Sequence, residues 1–339
     1  MSAVSAITLM TAMEKLRTDM MSVRGISENT ANQYMRHLER LNGDMPFRTL
    51  AFLHDPEKVK ATLADKSPMV RRTHYAAAHA ALSVKKSPQA IKLTRLYKSL
   101  MDDNNKDIAA AAPAEGEPTA KEAENWMSWD DIIKRRDEIG KDIADWTGWT
   151  RYLLLCLFTM TEPRRNKDYL RMTVVGGKNT TVDATKFSSE HNYCDINRKR
   201  FIFNTYKTAK TYGQQIIDIP PPLLDIIKMY MTFHPGTLAG FGGADVDAWS
   251  MPLLSGPAVS GQTLREDFIT RHLNAALGKK IGCSMLRHIY LSTKFSTVAK
   301  IMKDSTATAA AMGHSTATQR GYLRVVAAAG AGSDNITHE

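Results

Sequence analysis

The chain has 339 residues, a net charge of +10 and 43% hydrophobic residues. This length predicts two domains, each large enough to bury a core. No apolar run approaches the ~20 residues of a membrane-spanning helix, and residues 1–13 lack the charged start and cleavage site of a signal peptide.

The three cysteines, Cys156, Cys194 and Cys283, are too few for a disulfide framework, and no CxxC pair indicates zinc. We therefore expect an intracellular protein, in the cytoplasm or the nucleus. Basic residues are in excess over 1–105 and again after 145, with an acidic stretch between them. This distribution suggests that both lobes bind a polyanion, although a modest basic excess also occurs in proteins that bind no nucleic acid.

The first domain, residues 1–107, is predicted to be all helical. Ser27 is a predicted N-cap, and Ser67-Pro68 is a second helix start. Basic residues on these helices are candidate contacts to DNA phosphates, and for any single one a solvated helix face is the alternative. The candidates are Arg36, Arg40, Arg71, Arg72, Lys85 and Lys86.

Residues 108–125 contain two prolines and few large apolar groups, which predicts a linker. The second domain, 126–326, is predicted to be mainly α with a small antiparallel β-sheet, followed by a flexible tail at 327–339. Its predicted elements are helices at 130–143 and 149–160, a strand at 172–175, a hairpin of 200–206 with 214–219, and helices from 220 onward.

Four short motifs follow one another along this domain. They are Pro163-Arg164-Arg165-Asn166, Tyr206-Lys207-Thr208-Ala209-Lys210, Met285-Leu286-Arg287-His288, and Met312-Gly313-His314-Ser315 followed by Tyr322. In this order they resemble the catalytic domain of the tyrosine recombinases, also called phage integrases. The residues of the first two motifs look most like those of members from large DNA viruses and mobile elements. The helical first domain resembles the core-binding domain of the same family, so the resemblance covers nearly the whole chain and implies a C-shaped clamp around DNA.

The resemblance implies a role for each motif. Tyr322 would be the nucleophile that forms a 3′-phosphotyrosine, so that rejoining needs no ATP. A free tyrosine has a pKa near 10, so its oxygen needs activation by nearby cations. Arg165 and Arg287 would hold the non-bridging phosphate oxygens, since a guanidinium can stabilise the charge of the transition state. His314 would bond a phosphate oxygen or assist the tyrosine proton.

Several assignments stay open. Arg164 is the alternative to Arg165, because adjacent helical residues point about 100° apart and only one can face the site. The general acid that protonates the leaving 5′-oxygen is Lys207 or Lys210, with Lys207 preferred. Ser284 stands where many members carry a histidine, and serine cannot shuttle a proton at neutral pH. His288 is interpreted as a structural histidine.

Eight helical residues would turn Tyr322 by about 80° from His314, so the two should not share one straight helix. We expect a break near Thr318 to Gly321. The resemblance implies a site-specific DNA recombinase or integrase that acts as a homo-tetramer on two double-stranded DNA sites, with no metal or other cofactor. The alternatives are a type IB topoisomerase-like enzyme and a non-catalytic DNA-binding relative.

Overall fold

The computed structural model describes residues 3–113, 117–178, 183–240, 248–256 and 264–322. The chain divides into two compact units, Met1–Glu117 and Pro118–Glu339. The protein is mainly helical and carries one small five-stranded sheet.

The first unit is helical, as its sequence predicts. Its described helices are α1 (Ala3–Arg24), α2 (Glu28–Leu41), α3 (Pro56–Thr62), α4 (Pro68–Ser83) and α5 (Pro88–Ala110), with a 3-10 turn at Ala51–Leu53. The predicted starts are confirmed, because the Ser27 and Ser67 side chains accept hydrogen bonds from the backbone N–H groups of Thr30 and Val70. Ser87 caps α5 in the same way, and α4 packs on α5 through small buried alanines.

The segment predicted as a linker over 108–125 is partly helical. Helix α5 continues to Ala110, and α6 occupies Ala120–Asn125. A capping box starts α6, because Thr119 Oγ1 accepts from the Glu122 N–H and the Glu122 carboxylate accepts from the Thr119 N–H. Composition suggested a linker because α6 has few large apolar groups. It is nevertheless a helix, which begins with this capping pair and is held to the rest of the second unit by contacts of Glu122 and Asn125.

The second unit combines helices with a sheet. Its further described helices are α7 (Trp129–Lys141), α8 (Trp146–Thr159), α9 (Asn166–Leu170), α10 (Ala209–Tyr212), α11 (Pro221–Thr232), α12 (Pro235–Leu238), α13 (Phe268–Leu277), α14 (Cys283–Lys294), α15 (Ser296–Ala311) and α16 (Thr316–Tyr322), with a 3-10 turn at Ala184–Lys186. The predicted tail at 327–339 lies outside the described residues.

The sheet is mixed, so the prediction of an antiparallel sheet was wrong in one pairing. Its strands are β1 (Thr173–Gly176), β2 (Tyr193–Asp195), β3 (Arg200–Phe203), β4 (Gln215–Asp218) and β5 (Trp249–Pro252), in the order β4-β3-β2-β1-β5. Strands β1 and β2 pair in parallel, with Val174 opposite Cys194, and the other pairings are antiparallel. The sequence patterns missed β2 and β5, since strands of three or four residues are too short to show a clear alternation.

The core of the second unit places the segment with the first motif against the sheet. Leu153 to Phe158 of α8 are all buried, as the apolar composition predicted. Phe158 meets the ring of Tyr169 on α9 at 5.7 Å between centroids, and Tyr169 meets Phe201 and Phe203 on β3 at 6.0 and 5.8 Å. This aromatic chain holds α9, and the residues just before it, beside β3.

Two searches of the described residues gave negative results. No helix among them combines the length and apolarity needed to cross a membrane. In the same ranges, no three His, Cys, Asp or Glu side chains lie close enough together to hold a metal ion.

Candidate active site

The side chain of Arg164 contacts three neighbouring side chains in the second unit. Its Nε donates to Asp168 Oδ2 at 3.0 Å and its Nη1 donates to Gln215 Oε1 at 2.9 Å. The guanidinium also lies over the ring of Phe203, 3.8 Å from the centroid. Because Phe203 and Gln215 are paired on β3 and β4, Arg164 joins the segment before α9 to the hairpin.

Asp168, the ion-pair partner of Arg164, is 3% exposed. Burial raises the pKa of the Asp168 carboxyl above its ordinary value, and the nearby Arg164 guanidinium opposes that rise. A buried carboxylate of this kind needs its cation, so removing Arg164 would leave an uncompensated charge. The Arg164–Asp168 pair is therefore structural.

Arg165 differs from its neighbour. It occupies the N-cap position of α9 with extended backbone angles, and its side chain is half-buried. Within the described ranges its guanidinium makes no hydrogen bond or ion pair to another side chain. The next residue, Asn166, donates from Nδ2 to Thr270 Oγ1 on α13 at 2.8 Å, which anchors this end of the segment.

The second candidate arginine, Arg287, lies in the middle of α14. It is half-buried, and across the part of the chain that the structure describes it has no bonded partner. Its neighbour His288 has Nδ1 2.7 Å from Glu122 Oε1, so this histidine holds α6 against α14. A structural role for His288 agrees with this contact, although the partner is a carboxylate rather than Arg287 itself.

Glu162 brings the two arginine segments together. Its Oε1 lies 3.4 Å from both the Tyr290 hydroxyl and the Lys294 ammonium on α14. Tyr290 is one helical turn beyond Arg287, and Glu162 is three residues before Arg165. The two segments also approach each other through Thr270, whose Oγ1 accepts from Asn166. Gly282, just before α14, lies beside the same threonine, since a Cβ added to this glycine would be 3.4 Å from Thr270 Cγ2. Arg165 and Arg287 therefore lie on adjoining segments between these two anchors.

The candidate lysines lie in the connection between β3 and β4. The predicted hairpin is confirmed, with Phe203 opposite Gln215, but β3 ends three residues earlier than expected and the connection contains α10. Lys207 and Lys210 are both exposed. Lys207 directly follows Tyr206, whose ring centroid is 5.3 Å from the Arg164 guanidinium and whose hydroxyl donates to Gly213 O at 2.7 Å.

Sequence reasoning missed Asn192, which is 4% exposed and lies just before β2. Its Nδ2 donates to Asp168 O and to Thr205 O, both at 2.9 Å. Its Oδ1 accepts from the backbone N–H groups of Asn204 and Thr205, both at 2.8 Å. No sequence signal marks this residue, since a single asparagine between polar loop residues and a three-residue strand fits no motif.

Local structure accounts for two of the three residues in Gly313-His314-Ser315. Gly313 has φ of +72°, its N–H donates to Ala310 O, and the His314 N–H donates to Ala309 O. This is a Schellman motif that ends α15. Ser315 Oγ accepts from the Thr318 N–H and caps α16. The His314 side chain has its Nδ1 3.2 Å from Ser315 O.

His314 and Tyr322 do not share one helix, as predicted, but the break is not where the sequence placed it. The interruption lies at 312–315, and Thr318 and Gly321 are inside α16. The glycine that breaks the helix is Gly313, whose left-handed conformation an L side chain rarely adopts. Tyr322 ends α16, and its side chain lies outside the described part of the structure.

Contacts within the second unit connect some of the predicted residues. Arg165, Arg287 and the turn with Lys207 are connected through Glu162, Arg164 and Asn192. His314 and Tyr322 belong to the α15–α16 segment, which is joined internally by a hydrogen bond from Ser305 Oγ to Gln319 Oε1 at 3.0 Å. Ser284 is exposed in the first turn of α14, one turn before Arg287.

The basic residues of the first unit fall into two groups. Arg36, Arg40, Lys85 and Lys86 are exposed. Arg71 and Arg72 instead face α5, where Arg71 Nη2 lies 3.6 Å from Asp107 Oδ2 and Arg72 Nε donates to Asn105 Oδ1. The exposed group is therefore better placed to meet a polyanion.

Comparison of the chain with protein-family models, curated proteins and solved structures finds no match. The resemblance therefore rests on the four motifs and their order.

Proposed function

We propose that this protein is a tyrosine site-specific recombinase, which cuts and rejoins double-stranded DNA through a 3′-phosphotyrosine. The observation that carries the proposal is the placement of Arg165 and Arg287 on two segments that contacts of Glu162 join. Both are half-buried guanidiniums without side-chain partners in the described ranges, on segments that Glu162 holds together. A half-buried, unpaired cation is costly, and two on adjoining segments form a site for an anion with several oxygens, such as a phosphodiester.

The proposed reaction assigns each residue one task. The Tyr322 oxygen attacks phosphorus, and the bond from phosphorus to the 5′-oxygen breaks. Lys207 gives its proton to that 5′-oxygen, while Arg165 and Arg287 bond the non-bridging oxygens as their charge increases. His314 bonds the phosphate or receives the tyrosine proton. Because the phosphotyrosine keeps the energy of the broken bond, the reverse attack by a 5′-hydroxyl rejoins DNA.

The choice of Arg165 over Arg164 is supported by the bonds of Arg164. Two donors of this guanidinium are already used by Asp168 and Gln215, and its face packs on Phe203, so Arg164 is held in place by the protein. The choice of Lys207 over Lys210 is supported by its position next to Tyr206, whose ring lies beside the same Arg164.

In this proposal the two units close around duplex DNA as a clamp, and four copies act on two DNA sites. The cellular role would be integration or excision of a viral or mobile element. The exposed basic residues Arg36, Arg40, Lys85 and Lys86 would contact phosphates away from the cut, which position a protein without reading sequence.

The test is covalent trapping on a pool of duplexes that contain a randomised segment and a nick beside it. Loss of the short fragment after cleavage prevents rejoining, so a 3′-linked protein–DNA adduct should accumulate and should vanish in Tyr322→Phe. Sequencing the trapped ends gives the site. An adduct that persists in Tyr322→Phe reassigns the nucleophile, and DNA binding without any adduct identifies a non-catalytic protein. Relaxation of supercoiled plasmids of arbitrary sequence identifies a topoisomerase-like enzyme instead.

A further inference from the structure

The side-chain amide of Asn192 uses all of its hydrogen-bonding capacity inside the protein. An asparagine amide has two N–H donors and one oxygen with two lone pairs. Here both donors go to carbonyl oxygens, of Asp168 and Thr205, and the oxygen accepts from the N–H groups of Asn204 and Thr205. No other residue of this size can donate to two carbonyls and accept from two amides, since aspartate lacks the donors.

These four bonds connect two parts of the proposed site. Asp168 lies three residues after Arg165, and Thr205 lies two residues before Lys207. The backbone of Asn192 is itself fixed, because its carbonyl accepts from the Thr173 N–H at the start of β1. The amide therefore joins the arginine segment to the lysine turn through the end of the sheet.

The other hydrogen bonds of the lysine turn come from less buried side chains: Asn204 Nδ2 donates to His191 O at 2.8 Å, and the Tyr206 hydroxyl donates to Gly213 O at 2.7 Å. Asn192 is the deeply buried partner, at 4% exposed. The side chains of Thr205, Lys207 and Lys210 are all exposed, and the turn leaves β3 after Phe203. A general acid must be held within hydrogen-bond reach of the atom that it protonates, and a misplacement of about 1 Å can cost on the order of 100-fold in rate. The backbone at 204–205 is where this position is determined, and Asn192 is the buried group that holds it.

We propose that Asn192 is a positioning residue for the general acid, acting through the turn that carries Lys207. This inference rests on the proposed strand-transfer function. Asn192 itself lies inside the protein and does not touch the DNA.

Replacing the leaving 5′-oxygen of the DNA by sulfur separates this role from a purely structural one. A thiol has a pKa of about 8.5, so the sulfur leaves as a thiolate and needs no proton. The Tyr322 oxygen still attacks phosphorus, the phosphorus–sulfur bond breaks, and its electron pair stays on sulfur. A variant whose only defect is proton donation should therefore recover on the sulfur substrate, whereas one that has lost phosphate binding should not.

The experiment measures single-turnover cleavage of nicked oxygen and sulfur substrates, built on the site recovered by the trapping experiment. We expect Lys207→Ala to slow cleavage of the oxygen substrate by roughly 100-fold or more, and Asn192→Ala by about 10- to 100-fold. Both should return to within about tenfold of the unmodified protein on sulfur. Arg165→Ala should stay slow on both substrates. The pair Asn192→Ala with Lys207→Ala should be no slower than Lys207→Ala alone, because the two changes remove one function.

Asn125 provides a matched control. It is 7% exposed, donates to Lys121 O at 2.9 Å and accepts from the Lys280 N–H at 3.0 Å, away from the lysine turn. Asn125→Ala removes a similar buried amide, so any slowing that it causes should be equal on oxygen and sulfur.

Equal slowing of Asn192→Ala on both substrates would overturn the positioning role while leaving the proposed function in place. If the unmodified protein forms no adduct on either substrate, the proposed function fails and this inference fails with it. Sulfur rescue of Lys210→Ala in place of Lys207→Ala would move the acid within the same turn, and rescue of Asn192→Ala would then still support the role of Asn192.

Circular dichroism and melting temperature establish that each variant is folded. If Asn192→Ala does not fold, Gln214→Ala tests the same turn from its exposed side, because Gln214 Nε2 donates to Asn204 Oδ1 at 2.6 Å. Slowing on oxygen with recovery on sulfur supports the proposal. The absence of any difference between the two substrates counts against it.

Discussion

Two adjacent arginines, Arg164 and Arg165, have different environments in this protein. Arg164 neutralises a buried carboxylate and packs on an aromatic ring, whereas Arg165 has no such partner in the described ranges. The same residue type is therefore bonded inside the protein at one position and has no side-chain partner of this kind, within the described residues, at the next. This contrast gives a direct test of the assignment.

We expect Arg164→Ala to lower the free energy of unfolding by about 3 kcal/mol, because it leaves Asp168 buried without its cation. Arg165→Ala should change stability by less than about 0.5 kcal/mol but should abolish most adduct formation. Denaturant unfolding and the trapping assay measure the two effects on the same preparations. An Arg165→Ala protein as unstable as Arg164→Ala would show that Arg165 is structural as well.

His37 shows how burial acts on a single titratable group in the first unit. Its ring lies 4.5 Å from that of His74, and burial, followed by the charges of His74 and Arg40, lowers the pKa of His37 to about 4. Above pH 6.5 the residue is neutral in both the folded and the unfolded chain. Between pH 6.5 and about 4 the unfolded chain binds a proton that the folded chain excludes, so stability falls as the pH is lowered.

We therefore expect the melting temperature to fall less in His37→Gln than in the unmodified protein when the pH is lowered from 7.5 to 5. The exposed His54 supplies the control, since His54→Gln should lose as much as the unmodified protein. Thermal melts at the two pH values measure the difference. Equal losses in all three proteins would show that His37 does not contribute to acid sensitivity.

At the scale of elements, the junction between α15 and α16 depends on one glycine. Gly313 adopts φ of +72° and its motif ends α15 directly before His314. An L side chain in this left-handed conformation costs about 1–2 kcal/mol. The position of His314 relative to α15 therefore depends on the residue at 313.

Gly313→Ala should weaken this junction, and the amide protons of Gly313 and His314 should exchange about tenfold faster or more. Gly256 is a matched control, because its φ is not left-handed and a Cβ there would meet nothing within 4 Å. Hydrogen exchange followed by mass spectrometry of the α15–α16 peptides measures the effect. Unchanged exchange in Gly313→Ala would mean that the Schellman motif does not stabilise the junction.

For the whole molecule, the net charge of +10 can attract a polyanion only through basic side chains that are exposed and not already paired. Arg36 and Arg40 are exposed one turn apart on α2. Lys60 and Lys66 are equally basic but pair with Glu57 and Asp65, at 2.7 and 2.8 Å. Among the residues that the structure describes, Arg36 and Arg40 have no carboxylate partner of this kind.

We expect the double variant Arg36→Ala with Arg40→Ala to reduce the salt dependence of DNA binding by nearly two log units of affinity per decade of salt, at about 0.9 for each lost phosphate contact. Lys60→Ala with Lys66→Ala should change the slope much less. Fluorescence anisotropy of a labelled duplex across a salt series measures both. Equal slopes in the two double variants would remove α2 from the proposed DNA-binding surface.

The sequence by itself determined the helical first unit, most elements of the second and the residue types of the candidate site. Caps such as Ser27 and Ser67, the apolar run of α8 and the hairpin of β3 with β4 are local signals, and each is carried by a short stretch of chain. The four motifs and their order likewise indicated the candidate basic residues of the site, Arg165, Arg287 and Lys207. These features depend on neighbours in sequence, so a reader of the sequence can find them.

Only the tertiary structure showed that Arg164 is bonded to Asp168 and Gln215, paired β1 with β2 in parallel, and revealed the contacts of Asn192. Each of these depends on groups far apart in the chain, such as Gln215 against Arg164 or Thr205 against Asn192. The helix break at Gly313 was misplaced because a glycine at 313 and a glycine at 321 look equivalent in sequence. Their backbone angles differ only because of what the folded chain bonds around them.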